Sequence, residues 1–531
     1  MDASSRFGHR RAWVLGLVQL VLGAHVLWWV ATGEAVAPLE PSEGMAFARD
    51  GEVNPGLVLF LLAGLATMVF GRFFCGWACH LLALQDGARW ILMKLGIRPR
   101  PFRSRLLRLV PLAAFVYMFL WPFIERLWLG LPQPGIGDFR WTTHAFWATF
   151  PGPFVSVLTL LLAGGAVIWL LGSKAYCTYA CPYGALFGAA DAMAPGRIRV
   201  DDSCAQCAKC TAACSSDVRV HEEVRDFGTV MDAGCMKCLD CVAACPNDAL
   251  RFGFGAPAAF TKARAKGRRS NVGVPGWDEE LVLALGYALG FFGSYRLYGS
   301  VPLLMALAMG MVGAWAAWTV MRLLRRPEVR LQGVALKLKR RWRAGGVAAL
   351  AASLLFLAAS GHGLWIRGHE AARDRAWNGF QEVRNQVLQQ GFGGALAPEV
   401  LEAATAAADE ARWLERHGLM PQALNAYAIA WERLLQGDHP GFQDGVEAVL
   451  ALRPGFGEVL FQYGYYWQGI GEGQEALDRW AAISPRDARF LDAALSRVHL
   501  LRLLQRADEA ELILTELRER GYEEEQLAGL G

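Results

Sequence analysis

Seven stretches of the chain are apolar enough, and long enough, to require burial in lipid: Trp13–Ala31, Pro55–Gly71, Leu106–Ile124, Phe154–Leu171, Leu281–Leu297, Val301–Val320 and Val347–Trp365. A segment of this kind has no water to satisfy its backbone N–H and C=O groups, so it must be helical. The expected fold is therefore mainly α: a polytopic membrane domain of about seven spans. Composition agrees, with 54% hydrophobic and 19% charged residues among 531. That balance excludes a disordered chain and an ordinary soluble enzyme. The formal charge of +4 gives no reason to expect nucleic acid as a partner. The first stretch has no small-residue cleavage site after it and reads as an anchor rather than a signal peptide. The fifth is short and interrupted by glycines, and reads as half of a helical hairpin with the sixth.

Orientation follows from Lys and Arg near the span ends. Arg6, Arg10 and Arg11 precede the first span, and Arg72, Arg89, Lys94, Arg98, Arg100, Arg103 and Arg105 lie between the second and third. Lys262, Arg264, Lys266, Arg268 and Arg269 precede the fifth, and a run from Arg322 to Arg343 follows the sixth. The loop after the first span carries Glu34, Glu40, Glu43, Asp50 and Glu52 against a single base, Arg49. All the basic segments share one side if the N-terminus is cytoplasmic, which places the region after Trp365 outside a bacterial inner membrane. These bases are read as topogenic.

Twelve cysteines occur, all between Cys75 and Cys245. Eight form two runs in a polar insert: Cys204, Cys207, Cys210, Cys214 and Cys235, Cys238, Cys241, Cys245, the last followed by Pro246. Each run is the C-x2-C-x2-C-x3-C pattern of two-cluster ferredoxins, in which three closely spaced thiolates hold one cubane and the fourth reaches the other. The expected ligand sets are crossed. Cys204, Cys207, Cys210 and Cys245 hold one [4Fe–4S] cluster; Cys235, Cys238, Cys241 and Cys214 hold the second. Structural zinc is the sober alternative for paired C-x2-C motifs. Ser215 stands where the second run has proline.

The other four cysteines make two C-x3-C motifs, Cys75-Gly-Trp-Ala-Cys79-His80 and Cys177-Thr-Tyr-Ala-Cys181-Pro182, each at the cytoplasmic end of a span. On a helix an i,i+4 pair places both sulfurs on one face. The two pairs are expected to meet across neighbouring helices, as a metal or cluster site, a redox dithiol or an electron relay, and they are the candidate catalytic thiols. Buried small residues at helix ends are the bland reading. The C-x3-C-H of the first motif also stretches the haem-attachment run, a reading set aside because the motif faces the cytoplasm.

This order of motifs resembles the NapH/NosR/CcoG group of polyferredoxin-like membrane proteins, and is most similar to NapH-type quinol dehydrogenase subunits. The resemblance covers roughly residues 10–255. It implies an electron-transfer subunit of quinol dehydrogenase type, with two [4Fe–4S] clusters and quinone as cofactors and the membrane quinone pool as partner. Its first C-x3-C motif usually ends in Cys-Pro, where this chain has Cys79-His80.

A quinone head group needs a polar anchor in an apolar setting, and His25, His144 and His362 lie in or beside spans. From about Gly368 the composition turns to Ala, Leu, Glu and Arg with helical periodicity. Leu460, Gly464, Trp467, Ala476 and Trp480 fit a tetratricopeptide-like hairpin, and Ala510 follows Ala476 by the 34-residue period. A plain helical bundle is the alternative. The chain thus divides into a four-span domain with both C-x3-C motifs (1–196), a cytoplasmic α+β ferredoxin domain (197–255), three further spans (256–366) and a periplasmic helical domain (367–531). The expected function is inner-membrane electron transfer between the quinone pool or a cytoplasmic donor and a periplasmic redox enzyme or maturation protein. The rival is an assembly factor in which the C-x3-C thiols reduce a metal or thiol, and a third reading makes the clusters purely structural.

Overall fold

The computed structural model describes residues 6–100, 102–137, 139–143, 152–264, 274–331, 333–390, 398–485, 487–520 and 522. The chain divides into two compact units, Met1–Leu364 and Trp365–Gly531.

The first unit opens with α1 (Arg6–Thr32) and α2 (Pro55–Phe70). Asn54 caps α2 by accepting from the Leu57 N–H, and Pro55 sits in the first turn, where a missing N–H costs nothing. Two helices follow, α3 (Phe73–Trp77) and α4 (His80–Lys94). The next span, α5 (Leu107–Trp128), contains a π turn at Val116–Leu120. Pro122 explains it, since its ring displaces the carbonyl one turn back. Then come α6 (Pro153–Leu171), α7 (Ala175–Tyr179) and α8 (Pro182–Met193).

Residues 55–94 and 153–193 therefore repeat one design: an apolar helix, a five-residue helix carrying the first cysteine of a C-x3-C motif, and a longer helix capped by the second. The repeat is visible in the sequence as Arg72-Phe-Phe-Cys75-Gly-Trp-Ala-Cys79 against Lys174-Ala-Tyr-Cys177-Thr-Tyr-Ala-Cys181.

At one end of this unit the strand Ala35–Val36 pairs antiparallel with Thr142–Thr143, and Val53 bridges Phe139. The segments that follow α1 and α5 thus share a side. At the other end, Gly196–Val200 pairs with Leu250–Phe254 and closes the cysteine-rich insert. Beyond the insert, α9 (Trp277–Phe292) and α10 (Leu303–Arg325) pack as the expected hairpin. A Cβ on Gly286 would stand 2.5 Å from the Gly313 oxygen, and one on Gly313 2.3 Å from the Gly286 oxygen, so only glycine permits this approach.

Among the described residues, five helices are long and apolar enough to cross a membrane: Phe7–Thr32, Leu107–Trp128, Pro153–Leu171, Leu303–Arg325 and Ala344–Gln381. The expected second and fifth spans are helices of 16 residues each, below the roughly 20 that cross hydrocarbon unaided.

In the second unit, helices of 9 to 20 residues run from Pro398–His417 to Ala507–Glu519. Leu460, Ala476, Trp480 and Ala510 lie in one apolar core, with Trp467 packed against it. Gly464 faces the Trp480 indole with no space for a Cβ, and that indole N–H donates to the Phe461 carbonyl at 2.9 Å.

Candidate electron-transfer site

The two cysteine runs of the insert fold the same way. In the first, Gln206 and Ala208 take positive φ (52° and 59°); in the second, the equivalent Lys237 and Leu239 do so (50° and 65°). Non-glycine residues avoid this region. Its recurrence at matched positions shows a backbone wound tightly around whatever the thiols enclose. One cavity is lined by Cys204, Cys207 and Cys210 of the first run and Cys245 of the second, with His221 and Pro246 beside them. Cys214 of the first run lies within electrostatic reach of Cys235, Cys238 and Cys241 of the second.

The donor chemistry, the cavity and the wound backbone all fit iron–sulfur clusters, which supply one-electron chemistry when bound. Among the described residues no three His, Cys, Asp or Glu converge on a point as ligands of a single ion would. Cys207 is exposed, whereas Cys235, Cys238 and Cys241 are buried. Burial pushes the Cys214, Cys238 and Cys241 thiols up, so cluster insertion must expel their protons.

The C-x3-C thiols assemble from the two repeats. Cys75, Cys79 and Cys177 pack together with Leu15, Leu82 and Met236, and Cys181 lies within electrostatic reach of Cys79 and Cys177. The pairs do not ride on continuous helices as expected. α3 and α7 stop at Trp77 and Tyr179, and Cys79 and Cys181 take extended backbone (φ −75°, ψ 123° and φ −66°, ψ 115°) as the caps of α4 and α8. For Cys181 the cause is Pro182, which bars its predecessor from helical backbone. Gln19, halfway along α1, donates to the His80 carbonyl at 2.9 Å.

Polar side chains brace this thiol quartet across the repeats. Gln85 Nε2 donates to Cys177 Sγ at 2.9 Å. Asp86 is buried between Arg11 at 3.0 Å and Lys174 at 3.6 Å. Burial alone would raise its carboxyl, but Lys174, Arg11 and Arg89 outweigh that and hold it below its usual range. Asp191, fully buried on α8, holds Lys237 at 2.7 Å and Arg197 at 3.2 Å and accepts the Arg72 N–H at 3.0 Å.

The same side chains dock the second cysteine run onto the quartet. Arg11 reaches Asp240 at 3.1 Å, Arg72 Nη1 donates to the Ala233 carbonyl at 2.8 Å, and the Trp77 indole N–H donates to the Lys237 carbonyl at 3.0 Å. Gly76 abuts Met236; a Cβ there would lie 2.0 Å from the Met236 oxygen. Met236, inside the second run, thus packs directly against the quartet.

The family described as 4Fe-4S binding domain matches residues 55–98 and 154–200, the two membrane repeats, and the family described as 4Fe-4S dicluster domain matches 196–246. Residues 55–246 are therefore similar to NapH-type membrane polyferredoxins. Curated relatives include the ferredoxin-type protein NapH of Haemophilus influenzae, 30% identical over 170 residues, which cover 30% of this chain and 52% of the relative. The putative electron transport protein YccM of Escherichia coli is 29% identical over 187 residues (33% and 50%). The methylamine utilization ferredoxin-type protein MauN of Methylorubrum extorquens is 27% identical over 208 residues (37% and 67%). The polyferredoxin spans about half the length of the first relatives it matches. No solved structure matches. These relatives and domains support an iron–sulfur electron-transfer role.

Sequence reasoning missed the braces. Arg11 and Arg72, counted as topogenic bases, are buried in the site. Asp86, Lys174, Asp191 and Met236 were not singled out, although the Arg72/Lys174 match at the same distance before each C-x3-C was a readable signal. Of the three candidate quinone anchors, His25 meets the Val36 carbonyl at 2.7 Å, His362 lies in the helix Ala344–Gln390, and His144 falls outside the described residues.

Proposed function

We propose that the chain is a bacterial inner-membrane electron carrier that moves electrons between the quinone pool and two [4Fe–4S] clusters. Its N-terminus and ferredoxin domain face the cytoplasm, and residues 367–531 dock a periplasmic redox enzyme or maturation partner through tetratricopeptide-like hairpins. Cys204, Cys207, Cys210 and Cys245 hold the first cluster, and Cys235, Cys238, Cys241 and Cys214 the second. Cys75, Cys79, Cys177 and Cys181 are the redox station on the membrane side, as relay thiols or as ligands of a further centre.

The observation that carries this reading is the docking of the second cysteine run on the quartet, with its own Met236 packed against the quartet thiols and buried ion pairs around them. Electron tunnelling needs redox groups held close in a rigid, dry medium. Met236 excludes water from the gap, the Asp191–Lys237 and Arg11–Asp240 pairs fix the separation, and Trp77 holds the backbone of the second run. The basic residues beside each span end support the cytoplasmic assignment through the charge rule.

The test is anaerobic. Protein purified in detergent should carry about eight irons per chain from the ferredoxin domain, and quinol should bleach the visible absorption and produce a reduced-cluster EPR signal. Reduction by a low-potential ferredoxin but not by quinol would overturn the quinone pathway and favour the assembly-factor role.

A further inference from the structure

Resting on the quinone reading above, we propose that Glu40, His80 and Tyr183 form the quinol site, with the Glu40 carboxylate as proton acceptor. The segment after α1 does not stay in the outer loop. Residues 36–44 fold back along α2, so that a Cβ on Gly56 would meet Glu43 Cβ at 2.4 Å and the Glu40 oxygen at 2.6 Å. This return places Glu40 Oε1 3.6 Å from His80 Nε2. His80 itself is tied to Gln19, halfway along α1.

A carboxylate beside an imidazole at that depth is expensive unless it serves a purpose. Both side chains remain partly accessible, 32% for Glu40 and 21% for His80. On α1 next to them Leu17, Leu20 and Val21 turn outward, an apolar approach suited to an isoprenoid tail. Tyr183 completes the polar set on the other repeat. Its hydroxyl interacts with Ser42, and its ring packs edge-on against Phe60 and Phe119. His80 directly follows Cys79, and Tyr183 lies within electrostatic reach of both Cys181 and Glu40, so a head group held here lies beside the thiol motifs of both repeats. This is also where the chain departs from the Cys-Pro ending of the second motif.

The chemistry balances. Quinol gives up two electrons and two protons to become quinone. The electrons leave one at a time by way of the quartet toward the iron–sulfur clusters, the oxidant. Each O–H proton passes in turn to Glu40, which returns it to solvent on the side where Glu43 and Glu52 lie. Ser42, donating to the Glu40 carboxylate at 3.2 Å, and Asn54, donating to the Glu43 backbone carbonyl at 3.0 Å and the Glu52 carboxylate at 3.4 Å, line that way out. His80 orients the head group.

Stopped-flow reduction of the full-length protein by a short-chain ubiquinol tests the assignment. Glu40→Gln should slow quinol-driven reduction about a hundredfold, while iron content and the dithionite-reduced EPR spectrum stay unchanged. Glu40→Asp should recover part of the rate, and His80→Gln should raise the quinol concentration for half-maximal rate. Wild-type rates in both Glu40→Gln and His80→Gln would overturn this site while leaving the quinone pathway intact. If quinol fails to reduce the unsubstituted protein, the quinone pathway itself falls, and this site with it.

Discussion

The two sets of cysteines in this protein are built in opposite ways. The eight cysteines of the insert lie within 42 positions, from Cys204 to Cys245, and each run winds its own backbone into shape through residues such as Gln206 and Lys237. The quartet has no such local frame. Its halves come from two repeats far apart in sequence, and they meet only because Asp86, Lys174, Arg72 and Asp191 pair across the repeats. A ligand set written into one short segment survives small errors of packing. A set assembled from distant helices is as good as the braces that hold it.

The largest expected effect tests those braces. Asp191→Ala leaves Lys237 and Arg197 buried without a counter-charge, a loss of about 3–5 kcal/mol. Thermal unfolding followed by cluster absorption should show a lower midpoint, with the quartet separated from the second run before the insert loses its iron. If the insert lost iron first, the contrast between a self-framed and a braced array would fail.

Next is the quartet itself. Cys75→Ser with Cys79→Ser should abolish quinol-driven reduction while dithionite still reduces the insert. Iron analysis of the parent sharpens the comparison: about eight irons per chain makes the quartet a thiol relay, and about twelve makes it a cluster site in its own right.

The smallest effect lies within the insert. Cys207 is exposed, and Cys235, Cys238 and Cys241 are buried, so controlled oxidation should bleach the cluster of the first cavity several-fold faster. EPR at successive oxidation times would resolve the order, and equal loss of both signals would count against unequal protection.

The same contrast explains what could be read from the sequence. The runs from Cys204 to Cys245 were legible because their spacing is itself the chemistry. The meeting of the C-x3-C pairs was legible in outline, but Cys79 and Cys181 proved to be helix caps; for Cys181 the effect of Pro182 on its predecessor outweighs helical periodicity. The braces were hidden: a single Arg11 or Arg72 near a span looks like any topogenic base, and burial is decided by partners far along the chain. Helices of 16 residues at Pro55–Phe70 and Trp277–Phe292 blurred the span count, because hydropathy reports composition over a window and not where a helix stops.

The cavity that draws three cysteines from the first run and Cys245 from the second also sets a timetable for biosynthesis. A ribosome that has released Cys204, Cys207 and Cys210 has produced an incomplete socket. It closes only after the second run has emerged and the strand Leu250–Phe254 has paired with Gly196–Val200. By then three of the five long apolar helices among the described residues are made and two are still to come, so metal loading falls in the middle of membrane insertion, and a pause or truncation before Cys245 would leave the nascent chain anchored but unable to mature.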